Sequence, residues 1–365
     1  MNWHRFHRLG LAVATVLIVA ACGSSSAAGS TDWSKQTSAS GGGGMDALVA
    51  AAKAEGKLTV IALPPDWANY GEIISSFQSK YGIQVTSLNP NGSSQDEVNA
   101  FDGTSRAPDV VDVGLAVALA NTGKFAPYQV KEWNDIPEGA KEATGLWYND
   151  YGGYMGIGYD SSKVPAITSV QDLLGSAFRS KVALAGDPTK SNQGLNGVIM
   201  ASVANGGSLD DVSKGVAFFH QLRSAGNYVP VVGTAATVKS GQTPVLFEWD
   251  YLSASHGKDV STWKIFVPNN AIIGGYYSQA INNQAPHPAA ARLWEEYLYS
   301  DAGQNLWLKG GARPVRQAAM TSAGTIDKTA AAALPAVAGT PQVPSGDQTS
   351  KASQYVVANW SAAVA

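Results

Sequence analysis

Between residues 58 and 118 three apolar, β-branched stretches alternate with a helical segment and a polar loop, and this alternation constrains the fold most. LTVIAL (58–63) has the composition of a buried strand, a Pro-Pro turn follows, and Ile73, Ile74 and Phe77 then recur at helical spacing before a second strand, IQVTSL (83–88). Strands joined by a helical crossover run parallel, and APDVVDVGLAVA (107–118) supplies a third. The pattern continues in KVALAGDP (181–188), TPVLFEWD (243–250) and WKIFVPNN (263–270), with helices expected near 194–204, 209–225 and 287–309. The fold class is therefore α/β, with mostly parallel sheets covered by helices on both faces. From Met45 onward the chain has about 320 residues, more than one hydrophobic core usually serves, which predicts two lobes.

The first 44 residues read differently. MNWHRFHR carries Arg5 and Arg8 and no acid, residues 9–21 are apolar and small, and Val19-Ala20-Ala21 precedes Cys22, the single cysteine. A charged start, an apolar run and small residues before a cleavage point form a secretory signal over 1–21, and the run is shorter than the ~20 residues a bilayer span needs. Val19-Ala20-Ala21-Cys22 resembles the lipobox of bacterial lipoproteins, which implies a lipid on Cys22 and an extracytoplasmic protein anchored to the cell membrane. Residues 22–44, dominated by Gly, Ser and Ala, are expected to form a flexible tether. The body then has no thiol for a disulfide or a nucleophile. Without Arg5 and Arg8 the formal charge of −3 becomes −5, which argues against nucleic acid as a partner. Ten tryptophans and fourteen tyrosines exceed what the core requires, so some should line a binding surface.

The succession KLTVIALPPDWANYGEIISSFQSKYGIQV, APDVVDVG, GGYMGIGYDSSKV, KVALAGDPTKSNQG, SGQTPVLFEWDY and NQAPHPAAARLWEEYLYSDAGQNLWLKGG resembles the extracellular solute-binding proteins of ABC importers. The nearest branch holds the polyamine, ferric-ion, thiamine and phosphonate receptors. The likeness covers about residues 45–316 and is most recognisable in Pro286, Ala289, Ala290 and Ala291 before LWEEYLYSDAGQ. It implies the two-lobed type II periplasmic-binding architecture, a ligand in the cleft, closure about a hinge, no cofactor, a monomer, and permease and ATPase subunits as partners. Lobe 1 is expected over 45–155 and 275–365, with the C-terminal helices, and lobe 2 over 156–274. YGGYMGIGYDSS (151–162) and AIIGGYYSQAIN (271–282) are the expected crossing strands. Their glycine pairs suit close backbone approach or simply end the strands.

Loops after strands are where such sheets hold ligands. The first holds Asp66, and its Trp67 and Tyr70 resemble, at matching positions, the aromatic W-x-x-Y loop of polyamine receptors, or else either ring packs into the core. Ser93 and Ser94 in the second either donate to a ligand or cap a helix, and so do Ser191 and Asn192, which could hold an anion at a helix start. Glu248, Trp249 and Asp250 put two carboxylates around an indole, a pattern suited to an organic cation or else to solvated strand-end charges around a core tryptophan. Tyr151 and Tyr276 on the crossing strands complete the candidates. Ferric-ion receptors resembling this chain carry a vicinal tyrosine pair where this one has Trp249-Asp250, and Tyr276-Tyr277 should point to opposite faces, so no metal is expected. The expected solute is polyamine-like or another organic cation, with a phosphonate, another anion or ferric ion as alternatives. An enzyme finds little support: G-x-S-x-G, H-E-x-x-H and P-loop signatures are absent, and His220, His256 and His287 are scattered. Glu295-Glu296 reads as a solvated helix face.

Overall fold

A computed structural model describes residues 31–102, 106–335 and 337–365; the expected signal, Cys22 and the first part of the expected tether lie outside them. The chain runs α1 (Met45–Glu55), β1 (Lys57–Ile61), α2 (Tyr70–Tyr81), β2 (Gln84–Leu88), α3 (Ser94–Asn99), β3 (Val110–Gly114), α4 (Leu115–Ala120), β4 (Phe125–Ala126) and β5 (Tyr148–Asp160). It continues through β6 (Val182–Leu184), α5 (Asn192–Ala204), α6 (Ser213–Ser224), β7 (Tyr228–Val232), α7 (Ala235–Ser240), β8 (Val245–Trp249), α8 (Asp250–His256) and β9 (Trp263–Phe266). The return strand β10 (Gly274–Asn282) leads to α9 (Pro288–Leu298), α10 (Asp301–Lys309), β11 (Arg313–Pro314), α11 (Gln317–Ala323), α12 (Lys328–Ala332) and α13 (Gly346–Val364).

The first crossover forms as its pattern demands. Tyr70, Ile73 and Phe77 bury one stripe of α2, the helix stops where Gly82 turns left-handed (φ 72°), and β1 and β2 pair in parallel. Every residue of β3 is buried, and Asp109 fastens its start beside β1: Thr59 N donates to Asp109 Oδ2 and Asp109 N to Thr59 O, both at 2.7 Å. In the second lobe β6 pairs in parallel with β7 and β8. Lobes meet along β5 and β10. β5 pairs with β10 up to Tyr154 and with β8 from Met155, so one strand belongs to both sheets. The sheets are mixed rather than mostly parallel: β10 is antiparallel to β3, β4 and β5, because the two passes between lobes travel in opposite directions. The glycine pairs serve close approach, since a Cβ on Gly275 would stand 2.5 Å from the Trp249 ring.

Three segments depart from expectation. Residues 32–44 are packed, not free: Trp33 is buried, Arg292 donates to Gln36 O (2.8 Å) and Ser34 O (3.1 Å), and Gln129 N to Thr37 O (2.8 Å). One tryptophan supplies the apolar anchor a Gly/Ser run lacks. Glu295 and Glu296 are buried, not solvated, and Glu296 accepts from Tyr128 OH (2.8 Å) and Lys131 N (3.0 Å). Finally, α13 does not lie on lobe 1 alone. Its buried stripe of Thr349, Ala352, Val356 and Trp360 seats it on the second lobe, with Trp360 against Phe219 (5.2 Å between ring centres) and Arg223 Nε donating to Ala365 O (3.1 Å), while its start lies by Leu119 of α4. No helix among the described residues is long and apolar enough to cross a membrane.

Candidate functional site

A cavity of about 370 Å³ opens where the carboxyl ends of strands from both lobes converge. From the first lobe come the loop after β1, with Asp66 and Trp67, and the loop after β2, with Asn91, Ser93 and Ser94. Asp112 enters from within β3 and Tyr277 from β10. The second lobe adds Asp187, Lys190 and Ser191 after β6, Gly233 and Thr234 after β7, and Glu248 and His256 at the end of β8 and along α8.

The serines face the cavity and also do structural work. Ser93 closes a capping box with Asp96 at the start of α3, Ser94 Oγ accepts from Gly114 N (3.0 Å), and Ser191 caps α5 by accepting from Gly194 N (3.3 Å). Trp67 is half-buried; its indole N–H donates to Tyr151 OH at 2.6 Å. Glu248 Oε2 and His256 Nε2 lie 2.9 Å apart in the second-lobe wall. Burial opposes the imidazolium, but the hydrogen bond and charge of Glu248 outweigh it and raise the His256 pKa, with Asp66 and Asp259 adding to the rise; burial raises Glu248 against the pull of His256.

Under the first-lobe wall lies a layer of buried acids. Asp112 Oδ2 accepts from Tyr70 OH (2.8 Å) and Tyr151 OH (3.0 Å), Asp112 N donates to Glu97 Oε2 (3.0 Å), and Gln279 Nε2 donates to Asp150 Oδ2 (2.9 Å). Burial lifts the Asp112 carboxyl to about 7 despite those hydroxyls, and burial with the charge of Asp112 pushes Glu97 well above the carboxylate range.

Of the expected residues, Asp66, Trp67, Ser93, Ser94, Ser191 and Glu248 line the cavity together. The others do not. Tyr70 and Tyr151 are fully buried behind Trp67. Asn192 lines a smaller groove behind Ser191, against Gly114 and α13. Trp249 is buried, lies parallel to Tyr251 (10° between planes) and over Gly275, and Asp250 is buried in an ion pair with Arg313 at 2.7 Å. Tyr276 faces away, as alternation along β10 requires, and its neighbour Tyr277 takes the cavity position. Sequence reasoning missed Asp112, Thr234, His256 and Tyr277. A charged residue inside the apolar VVDVG was the one available signal for Asp112, whereas His256 returns to Glu248 only because two turns of α8 intervene. Among the described residues no group of three or more His, Cys, Asp or Glu could hold a metal ion.

Two α/β lobes, a pair of shared strands and a cavity walled from both sides define a solute-binding receptor of the periplasmic-binding class. A family model for bacterial extracellular solute-binding proteins matches residues 105–333, and the chain belongs to that family, whose members bind solutes and are not enzymes. Its fold is similar to three solved receptors. Iron-bound HitA from Pseudomonas aeruginosa is 18% identical (TM-score 0.64; 84% of this chain, 99% of that one). AgtB from A. tumefaciens R10, in complex with agropinic acid, is 14% identical (TM-score 0.66; 84% and 98%). AfuA from Actinobacillus pleuropneumoniae, with fructose-6-phosphate bound, is 15% identical (TM-score 0.64; 84% and 98%). A comparison with curated proteins finds no match.

Proposed function

We propose that this protein captures a small amine-bearing solute between its lobes and delivers it to the permease of an ABC importer, held at the outer face of the cell membrane by a lipid on Cys22. The observation that carries the ligand class is the charge of the cavity wall. Six carboxyl residues, Asp66, Asp96, Glu97, Asp112, Asp187 and Glu248, face only Lys190 and His256, and His256 is paired with Glu248. Even with Glu97 and Asp112 protonated by burial, the other four outnumber the two basic groups. Trp67 adds a ring face on which an ammonium can lie.

A second reading has its own support: exposed Lys190 stands beside Ser191 at the start of the 13-residue α5, a combination that suits an anionic group. Calorimetric titration with putrescine, spermidine and an aminoalkyl phosphonate separates the two. The amines should bind, and Asp66→Asn should weaken them by about 1 kcal/mol, the upper range for an exposed charge pair. Binding of the phosphonate alone, or tighter binding after Asp66→Asn, would overturn the cation reading.

A further inference from the structure

Trp67 sits in a loop outside regular structure, between β1 and α2, followed by two residues in the left-handed region, Ala68 (φ 43°) and Asn69 (φ 68°). What fixes its indole comes from elsewhere. The indole N–H can only donate, so the Tyr151 hydroxyl 2.6 Å away must accept from it and has one proton left to give. That proton goes to Asp112 Oδ2 at 3.0 Å, the oxygen Tyr70 OH also reaches at 2.8 Å. The indole thereby settles the first link, and at the second Asp112 Oδ2 accepts from both tyrosine hydroxyls, so that a proton on this carboxyl belongs on Oδ1. The Tyr151 ring is itself clamped, stacked on Tyr277 (5.7 Å, 17°), tilted on Trp307 (4.9 Å, 30°) and edge-on to Tyr70 and Tyr251 (both 6.0 Å, 75°). Trp67 meets the same aromatic layer edge-on, at Tyr277 (5.7 Å, 90°) and Tyr251 (6.4 Å, 80°).

We infer that Tyr151 is a positioning residue for the solute site: from the shared strand β5 its hydroxyl locks the Trp67 indole in the orientation that walls the cavity. Tyr151 is fully buried and does not line the cavity, so its hydroxyl reaches the site only through the two wall residues it bonds, Trp67 and Asp112. The orientation of a ligand-facing ring is thus tied to the strand that joins the lobes. The role in binding rests on the cavity being the solute site; the lock itself exists without solute.

The test uses the protein labelled with 5-fluorotryptophan and fluorine NMR, the Trp67 signal being identified by its loss in Trp67→Phe. Tyr151→Phe removes one oxygen and keeps the stacked ring. The Trp67 signal should shift and broaden in Tyr151→Phe while tryptophans remote from it, such as Trp360, hold still. Asp112→Asn, which replaces the carboxylate shared by Tyr151 and Tyr70 with an amide, should shift it as well. In spermidine titrations Tyr151→Phe should weaken binding about fivefold, the effect of one neutral hydrogen bond, and should have a clearly smaller effect in a Trp67→Phe background. An unmoved Trp67 signal overturns the lock. A moved signal with unchanged affinity overturns its role in binding. Failure of the wild type to bind spermidine counts against the amine reading, and the fluorine signal still decides the lock.

Discussion

Asp250→Asn should destabilise the fold and leave the cavity's chemistry in place. Asp250 opens α8 in the second lobe and is completely buried; its Oδ2 accepts from Arg313 at 2.7 Å and its Oδ1 from Tyr154 N and Tyr251 N, both at 3.0 Å. Arg313 comes from β11, which pairs with β5 at Gly152 and Tyr151, so the ion pair bolts the second lobe to the strand shared with the first. Arg313 as a whole is 8% exposed; its guanidinium lies 4.0 Å over the Tyr154 ring and otherwise donates to Pro335 O (2.9 Å). An asparagine can keep the two backbone donors on its oxygen, but its amide then faces Arg313 with donor against donor, leaving a buried cation without its counter-charge. Breaking a buried pair in this way costs about 3–5 kcal/mol. Urea denaturation with an unchanged m-value should report that loss as a lowered midpoint. Arg313→Met combined with Asp250→Asn should recover much of it, since no unpaired charge then remains. A loss below about 1 kcal/mol for the single variant, or a double variant no more stable than either single one, would refute the reasoning.

Gly275→Ala would push a methyl into the Trp249 ring at 2.5 Å, and should cost about 1–3 kcal/mol in thermal or urea unfolding because the buried indole has nowhere to move. The Asp112 carboxyl, raised from 3.8 to about 7, keeps a proton in the native state that the unfolded chain releases, so between those values stability should fall as pH rises, by up to about 1.4 kcal/mol per unit. Denaturation at pH 4.5, 5.5 and 6.5 should show that slope flattened in Asp112→Asn, and equal slopes would count against it. Cys22→Ala should abolish acylation and release the protein into the medium, as fractionation followed by mass measurement would show; a variant retained at the membrane at wild-type levels argues against the anchor.

The alternation of strand-like and helical segments was legible because period and composition are local properties: α2, β1, β2 and β8 follow from their own residues. So was the placement of Asp66, Trp67, Ser93, Ser94 and Ser191, since strand-end loops in a parallel arrangement point to one edge. Glu248 was placed in the cavity for a local reason, but its neighbours Trp249 and Asp250 were not distinguishable from it by sequence. Their roles depend on Gly275 and Arg313, contacts that arrive 26 and 63 residues later in the chain, and pairing over such separations leaves no local trace. The same holds at the N-terminal side, where Trp33 and the distant Arg292 turn a Gly/Ser-rich run from a tether into packed structure after Asp32. What the amino-acid sequence determined alone was the class of fold and the edge on which the cavity lies. Which acids face the cavity, which are paired or raised by burial, and which hydroxyl bonds which ring were decided only when β5 and β10 brought the two lobes together, because burial and charge pairing are properties of the assembled interior.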